Sequence, residues 1–262
     1  MNSAASGEEL QGEALLCALE SGEVRVAEPA GGEWRVNDWV KRAILQLFRE
    51  DAVVAQHAGP AWPFVDKESL VVRAFSLDAK VRLVPGGSSV RRGAFIGAGC
   101  VLMPPMYVNI GAYVGEGSMI DSHALVGSCA QIGERVHISA AAQIGGVLEP
   151  IGSRPVIIED DVMVGGGSGV YEGVLVRQHA VLGAGVILTA STPVYDLVNE
   201  VLLRGTSEAP LEIPSGAVVV PGSRPVSNEW GRGQGLAMSC AIIPKYRDGA
   251  TDAATALEDA LR

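Results

Sequence analysis

From residue 84 onward, branched aliphatic residues recur at every sixth position: Val84, Val90, Ile96, Leu102, Val108, Val114, Ile120, Val126, Ile132, Ile138 and Ile144. After a break, Ile158, Val164, Val170, Val176, Leu182 and Leu188 resume the same spacing. A helix repeats its apolar face near every 3.6 residues and a half-buried strand every second residue, so neither produces this pattern. The next residue is glycine at 97, 115, 127, 133, 145, 165 and 183, and the fifth hexad position is small at Ser88, Ala94, Cys100, Ala112, Ser118, Ala124, Ala130 and Ala142. An inward branched side chain, a glycine free in its backbone angles and a small corner residue describe a chain that turns every six residues. Three short strands close one triangular coil, and stacked coils pair as parallel strands about 4.8 Å apart. The expected fold is mainly β, a parallel β-helix of hexapeptide repeats.

Both ends depart from this period. Residues 10–20 and 36–50 carry apolar positions at helical spacing, with Asn37 and Asp38 expected to cap the second helix ahead of Val40, Ile44, Leu45 and Phe48. Between them, GEVRVAE and GEWRV read as a short two-stranded excursion turned by Pro29 to Gly32. After Leu188 come VYDLVNEVLLRGT, two strands in IPSGAVVVPGSRPV and GLAMSCAIIPKYR, and a terminal helix in ATDAATALEDALR. The expected domains are a mainly helical unit over 1–80, the β-helix over 81–196 and a cap over 197–262 that covers the open strand edges. Ile144 to Ile158 is two residues longer than two hexads, so GGVLEPIGSRPVI is expected to hold a bulge.

With those two residues bulged outward, side chains stack in columns. One reads Met103, Asp121, Ser139, Glu159 and Arg177; the others read Arg91, Asn109, Gly127, Gly145, Gly165, Gly183, and Gly97, Gly115, Gly133, Tyr171. Only the first is consistently polar, and Asp121 interrupts a position otherwise rich in glycine. A corner of small and ionisable groups beside an aliphatic core can hold a charged ligand through charge-assisted hydrogen bonds.

Composition narrows the chemistry. The chain has 262 residues, is 48% hydrophobic but only 5% aromatic, and carries a net charge of −10. That charge disfavours nucleic acid and anionic membranes, so an anionic ligand needs local cations. No apolar stretch reaches the length of a bilayer span, and the N-terminus lacks a basic region followed by an apolar core, so a cytoplasmic protein is expected. Cys17, Cys100, Cys129 and Cys240 are scattered without metal-ligand spacing. In the columns above, His123 and His179 share a face about three coils, roughly 14 Å, apart; His137 falls on another face and His57 in the helical unit, so no metal is expected. No phosphate loop and no GxSxG elbow occurs, and MVGGGSGVYEG sits within the hexad register.

The segment from YVNIGAYVGEGSMIDSHALVGSCAQIG through IGGVLEPIGSRPVIIEDDVMVGG, extended back through RLVPGGSSVRRGAFIGAGCVLMP and ESGEVRVAEPAGGEWRVNDWVKRAIL and forward to IPSGAVVVPGS, resembles the tetrahydrodipicolinate N-succinyltransferases. NIGAYV, VGSCAQIG and IGGVLEP carry the resemblance beyond generic hexads. It implies a left-handed β-helix with a small N-terminal helical domain and a C-terminal hairpin and helix cap, a homotrimer with sites between subunits, and succinyl transfer from succinyl-CoA, a co-substrate rather than a bound cofactor, to the amine of ring-opened tetrahydrodipicolinate. By the same resemblance Arg82 in VRLVP clamps a substrate carboxylate and Asp121 in SMIDS meets the reacting amine. Ser139, Ala140, Gly166 and Ala184 lie beside coenzyme A, with Lys245 and Arg247 at its phosphates. Two departures stand out: Asp121 is followed by Ser122-His123 in place of a tryptophan-containing pair, and the family's A-R-S-E segment is Gly166-Gly167-Ser168-Gly169. Glu172 remains nearby without an assigned role. The departures keep open an acetyl-CoA-using or specialised homologue acting on a related amino dicarboxylate, and a non-catalytic solenoid.

Overall fold

The computed structural model describes residues 9–57, 63–206 and 209–248. Helix α1 (Gly12–Ser21) buries Leu15, Leu16 and Leu19 and stops at Gly22, whose φ of 77° lets its N–H return to the Leu19 carbonyl at 3.1 Å. Strands β1 (Ala27–Ala30) and β2 (Glu33–Val36) form the expected antiparallel excursion. Helix α2 (Asp38–Glu50) buries Val40, Ala43 and Ile44. Asn37 holds the cap position but makes no side-chain cap bond; its Nδ2 donates instead to the Arg25 carbonyl at 2.8 Å, tying the start of the helix to the preceding turn. A second antiparallel hairpin, β3 (Val53–His57) with β4 (Pro63–Lys67), follows and was not foreseen. The unit therefore contains nearly as much strand as helix.

Beyond it lies a left-handed parallel β-helix with three flat faces, built almost wholly from two-residue strands. The first face stacks Arg82–Leu83, Val101–Leu102, Met119–Ile120, His137–Ile138, Met163–Val164 and Val181–Leu182. The second stacks Ser89–Val90, Tyr107–Val108, Leu125–Val126, Gln143–Ile144, Gly169–Val170 and Ile187–Leu188. The third stacks Phe95–Ile96, Tyr113–Val114, Gln131–Ile132, Ile157–Ile158, Leu175–Val176 and Glu212–Ile213. From Val90 onward, the second residue of each strand is buried and packs against the coils above and below in one aliphatic core. At the leading edge the register is one residue off the sequence reading: Leu83, not Val84, pairs with Leu102.

The break at residue 144 is larger than expected. Ile132 pairs with Ile158, Ile138 with Val164 and Ile144 with Val170, a step of 26 residues where the other coils between Val90 and Leu188 step 18. Eight residues leave the prism instead of two. The loop is held by Arg154, which donates to the Gly173 carbonyl at 3.0 Å and to Glu212 at 2.6 Å, and by the buried Lys41, whose Nζ donates to the Ser153 carbonyl at 2.6 Å. Burial holds the Lys41 amine below the usual lysine range. The N-terminal unit packs on the third face, where Arg25 donates to Gln131 at 3.0 Å, its guanidinium lies 3.6 Å from the Tyr113 ring centroid, and Trp34 donates to Glu159 at 2.9 Å.

At the far end, Ala217–Pro225 continues the first face and pairs antiparallel with Ala237–Tyr246, giving the two expected strands. The expected helix in ATDAATALEDALR lies outside the described residues. Asp196, almost fully buried, accepts from Tyr246 Oη at 2.6 Å, Asn199 Nδ2 at 2.8 Å and two backbone N–H groups. Burial opposes its charge, but these donors prevail and keep it below the usual carboxylate range. Tyr246→Phe removes one donor to a buried anion and is expected to cost about 1–3 kcal/mol, read as a lower midpoint in urea unfolding. Among the described residues no helix is long and apolar enough to cross a membrane.

Candidate active site

The hexad that buries Ile120 leaves the next residue, Asp121, at the edge where the first face turns into the second. Its side chain is about one-third exposed, and its Oδ1 accepts from the Ser122 N–H at 2.7 Å. The turn closes through His123, held at φ 62°. Each lower coil repeats the turn and bonds to the one above: Ala141 N–H to the Ser122 carbonyl at 2.8 Å, Gly167 N–H to Ala140 at 2.9 Å, and Gly185 N–H to Gly166 at 3.0 Å. One edge therefore carries Asp121, Ser139, Ala140, Gly166 and Ala184 in successive coils. Below Ser139 no side chain larger than a methyl group stands at 165, 166, 167, 183, 184 or 185, so the edge offers a smooth, narrow track.

The eight-residue loop corrects the columns inferred from spacing. Below Asp121 and Ser139 come Gly165 and Gly183, while Glu159 and Arg177 stack under Gly133 on the third face and Tyr171 stacks under Gly145. Arg177 is 3.2 Å from Glu159 and 2.9 Å from Glu212, in an ion-pair cluster joined to Trp34 and remote from Asp121. One histidine moves as well. His179 lies where the third face turns into the first, an edge away from His123, whereas His137 shares the first face with Asp121, with Nε2 4.0 Å from Asp121 Oδ2. Sequence reasoning missed that neighbour because the columns followed only the residue after each buried aliphatic; the 18-residue step from Met119 to His137 was the signal that could have found it. Among the described residues, no three or more His, Cys, Asp or Glu side chains converge as a metal site.

Arg82 stands exposed on the leading strand of Asp121's face, two strands before Met119 or about 10 Å at the usual strand spacing. Lys245 and Arg247 sit elsewhere: Arg247 donates to the Asp161 and His179 carbonyls at 3.2 and 3.5 Å, and Lys245 pairs with Asp248 at 3.1 Å, across the face from the Asp121 edge. Glu172 lies at the edge between the second and third faces and accepts from the Ala190 N–H at 3.0 Å. At Gly169 the Tyr171 ring occupies the space of a side chain, since an added Cβ would lie 2.4 Å from a ring carbon. A cavity of about 800 Å³ opens by the β3–β4 hairpin among Val71, Ser89, Arg91 and Tyr107, and Asp121 is not among its lining residues.

Comparison with known proteins places this architecture. Residues 9–49 match the family described as tetrahydrodipicolinate N-succinyltransferase N-terminal, and residues 155–190 match the hexapeptide repeat of succinyl-transferase. A 2,3,4,5-tetrahydropyridine-2,6-dicarboxylate N-succinyltransferase of Ralstonia nicotianae is 46% identical over 249 residues, covering 93% of this chain and 86% of its own. That of Nitrobacter winogradskyi is 47% identical over 255 residues with the same coverage. Among solved structures, a Campylobacter jejuni protein described as a 2,3,4,5-tetrahydropyridine-2-carboxylate N-succinyltransferase is 16% identical with a TM-score of 0.46, covering 89% of this chain and 63% of its own. Near-full-length identity of this order with curated enzymes shows that the chain belongs to the tetrahydrodipicolinate N-succinyltransferase family.

Proposed function

We propose that the protein transfers a succinyl group from succinyl-CoA to the amine of hydrated, ring-opened tetrahydrodipicolinate, in the lysine and diaminopimelate pathway. The observation that carries this reading is the 46% identity to curated enzymes of that name over more than nine-tenths of the chain. In it, Asp121 is the group that accepts the proton of the reacting amine, and Arg82 clamps a substrate carboxylate with its planar fork. The pantetheine arm of coenzyme A runs along the small-residue edge of Ser139, Ala140, Gly166 and Ala184, where backbone N–H groups are available to the thioester oxyanion. The assembly is a homotrimer of cytoplasmic protomers, with each site completed by a neighbouring prism. Lys245 and Arg247 then serve the coenzyme phosphates from the opposite edge of the first face, on the neighbouring protomer.

The glycines at 167 and 169 support a second donor, acetyl-CoA, because neither position presents a polar side chain to hold a terminal carboxylate. Thiol release measured with tetrahydrodipicolinate and each donor in turn decides between them. Succinyl-CoA is expected to be used at least tenfold more efficiently; the reverse order establishes the acetyl reading, and no release with either overturns acyl transfer to this amine. Arg82→Lys keeps the charge but loses the bidentate geometry. It is expected to raise KM for the dicarboxylate about tenfold with kcat little changed, checked by steady-state kinetics at fixed donor.

A further inference from the structure

Resting on the acyl-transfer reading, we propose that His137 is a positioning residue that acts through Asp121, holding the carboxylate toward the substrate amine and sharing the proton it accepts. The two side chains come from successive coils of the same face. The register pairs Met119 with His137 and Ile120 with Ile138, which sets Asp121, the residue after Ile120, beside the imidazole of the next coil. Nε2 of His137 lies 4.0 Å from Asp121 Oδ2, while Oδ1 of the same carboxylate is engaged by the Ser122 N–H at 2.7 Å. Oδ2 is thus the oxygen beside the imidazole, and the Ser122 N–H engages the other. The His137 side chain is only 12% exposed, between Met119 and Met163 on the adjacent strands, and this packing fixes its ring. A small rotation of either side chain closes the gap to hydrogen-bond length, as catalytic contacts commonly tighten once substrate is bound.

The chemistry needs such a partner. A carboxylate alone is a weak base for an amine proton, and an imidazole nitrogen beside it offers that proton a second acceptor. As the amine nitrogen forms its bond to the thioester carbonyl carbon, its proton passes to the Asp121 carboxylate, and the imidazole shares that proton across Oδ2 and Nε2. The carbon–sulfur bond then breaks, the sulfur leaves with the electron pair, and the proton returns to it to give the free thiol. Atoms and charge balance without any further reactant.

Two measurements on the full-length protein test this. Long-range proton–nitrogen NMR spectra report the imidazole tautomers, with His137 assigned by its absence in His137→Gln. The His137 signals are expected to change in Asp121→Asn while those of the other histidines stay; unchanged signals overturn the pairing whatever the enzyme's activity. In kinetics, His137→Gln is expected to lower kcat about 10²-fold, the low end of proton-transfer effects, with KM for the dicarboxylate within about twofold. The double variant should be no slower than Asp121→Asn alone, because His137 has nothing to act through once the carboxylate is gone. Multiplying losses in the double variant overturn the proposal. Absence of thiol release by the wild-type protein would instead sink the acyl-transfer reading, leaving the spectra to decide the pairing separately.

Discussion

Asp121→Asn is expected to lower turnover about 10²- to 10⁴-fold, the range found when a positioned proton acceptor is removed. The substitution keeps the shape of the side chain and its ability to accept from the Ser122 N–H, so it isolates the loss of basic charge. It leaves the buried hexad residues Ile120 and Ile138 untouched, and thermal unfolding should shift by no more than a degree or two. KM for the amine substrate should change far less than kcat, because the interaction lost is made chiefly as the proton moves. A variant that keeps more than about half of the wild-type turnover refutes the role assigned to Asp121.

Ile138→Ala is the second large effect, and it acts on stability. Ile138 is fully buried and stacked between Ile120 and Val164 of the neighbouring coils. Truncation of this kind costs about 2–5 kcal/mol through lost burial and the cavity left behind. In a solenoid each coil is stabilised mainly by its neighbours, so the weakness should appear as a break in cooperativity as well as a lower midpoint. Denaturant unfolding followed by two probes, tryptophan fluorescence for the two ends of the chain and far-ultraviolet dichroism for the coils, checks both. Coincident transitions at the wild-type midpoint would show that the core tolerates the cavity.

Much of the molecule was legible in advance because a coil with flat faces has one steric solution repeated many times. Every turn needs an inward branched residue and a small corner, so the six-residue period is written directly in the chain, and Asp121 stood out against a glycine-rich background. The edge carrying Ser139, Ala140, Gly166 and Ala184 also follows from family motifs that keep the same register. The β3–β4 hairpin was hidden because strands of five residues carry too little periodicity to separate from a loop. Asn37 was read as a cap from its residue type, but the Arg25 carbonyl competes for its side chain, and that competitor comes from another part of the chain.

Spacing alone could not count the residues that leave the coil between Ile144 and Ile158, because a bulge of two and an excursion of eight with one hexad removed give the same interval. Only strand pairing, at a step of 26 residues, decides between them. That choice moves Glu159 and Arg177 to the third face, beside Trp34 and Glu212. It leaves a glycine-rich edge below Ser139 and resets every column beyond the loop. The amino-acid sequence by itself determined the repeat, the aliphatic core and the family, because these depend on local geometry that recurs every six residues. The tertiary structure alone decided which side chains face one another across the coils beyond the loop, because such contacts depend on how many residues each coil contains and which loops are held outside it.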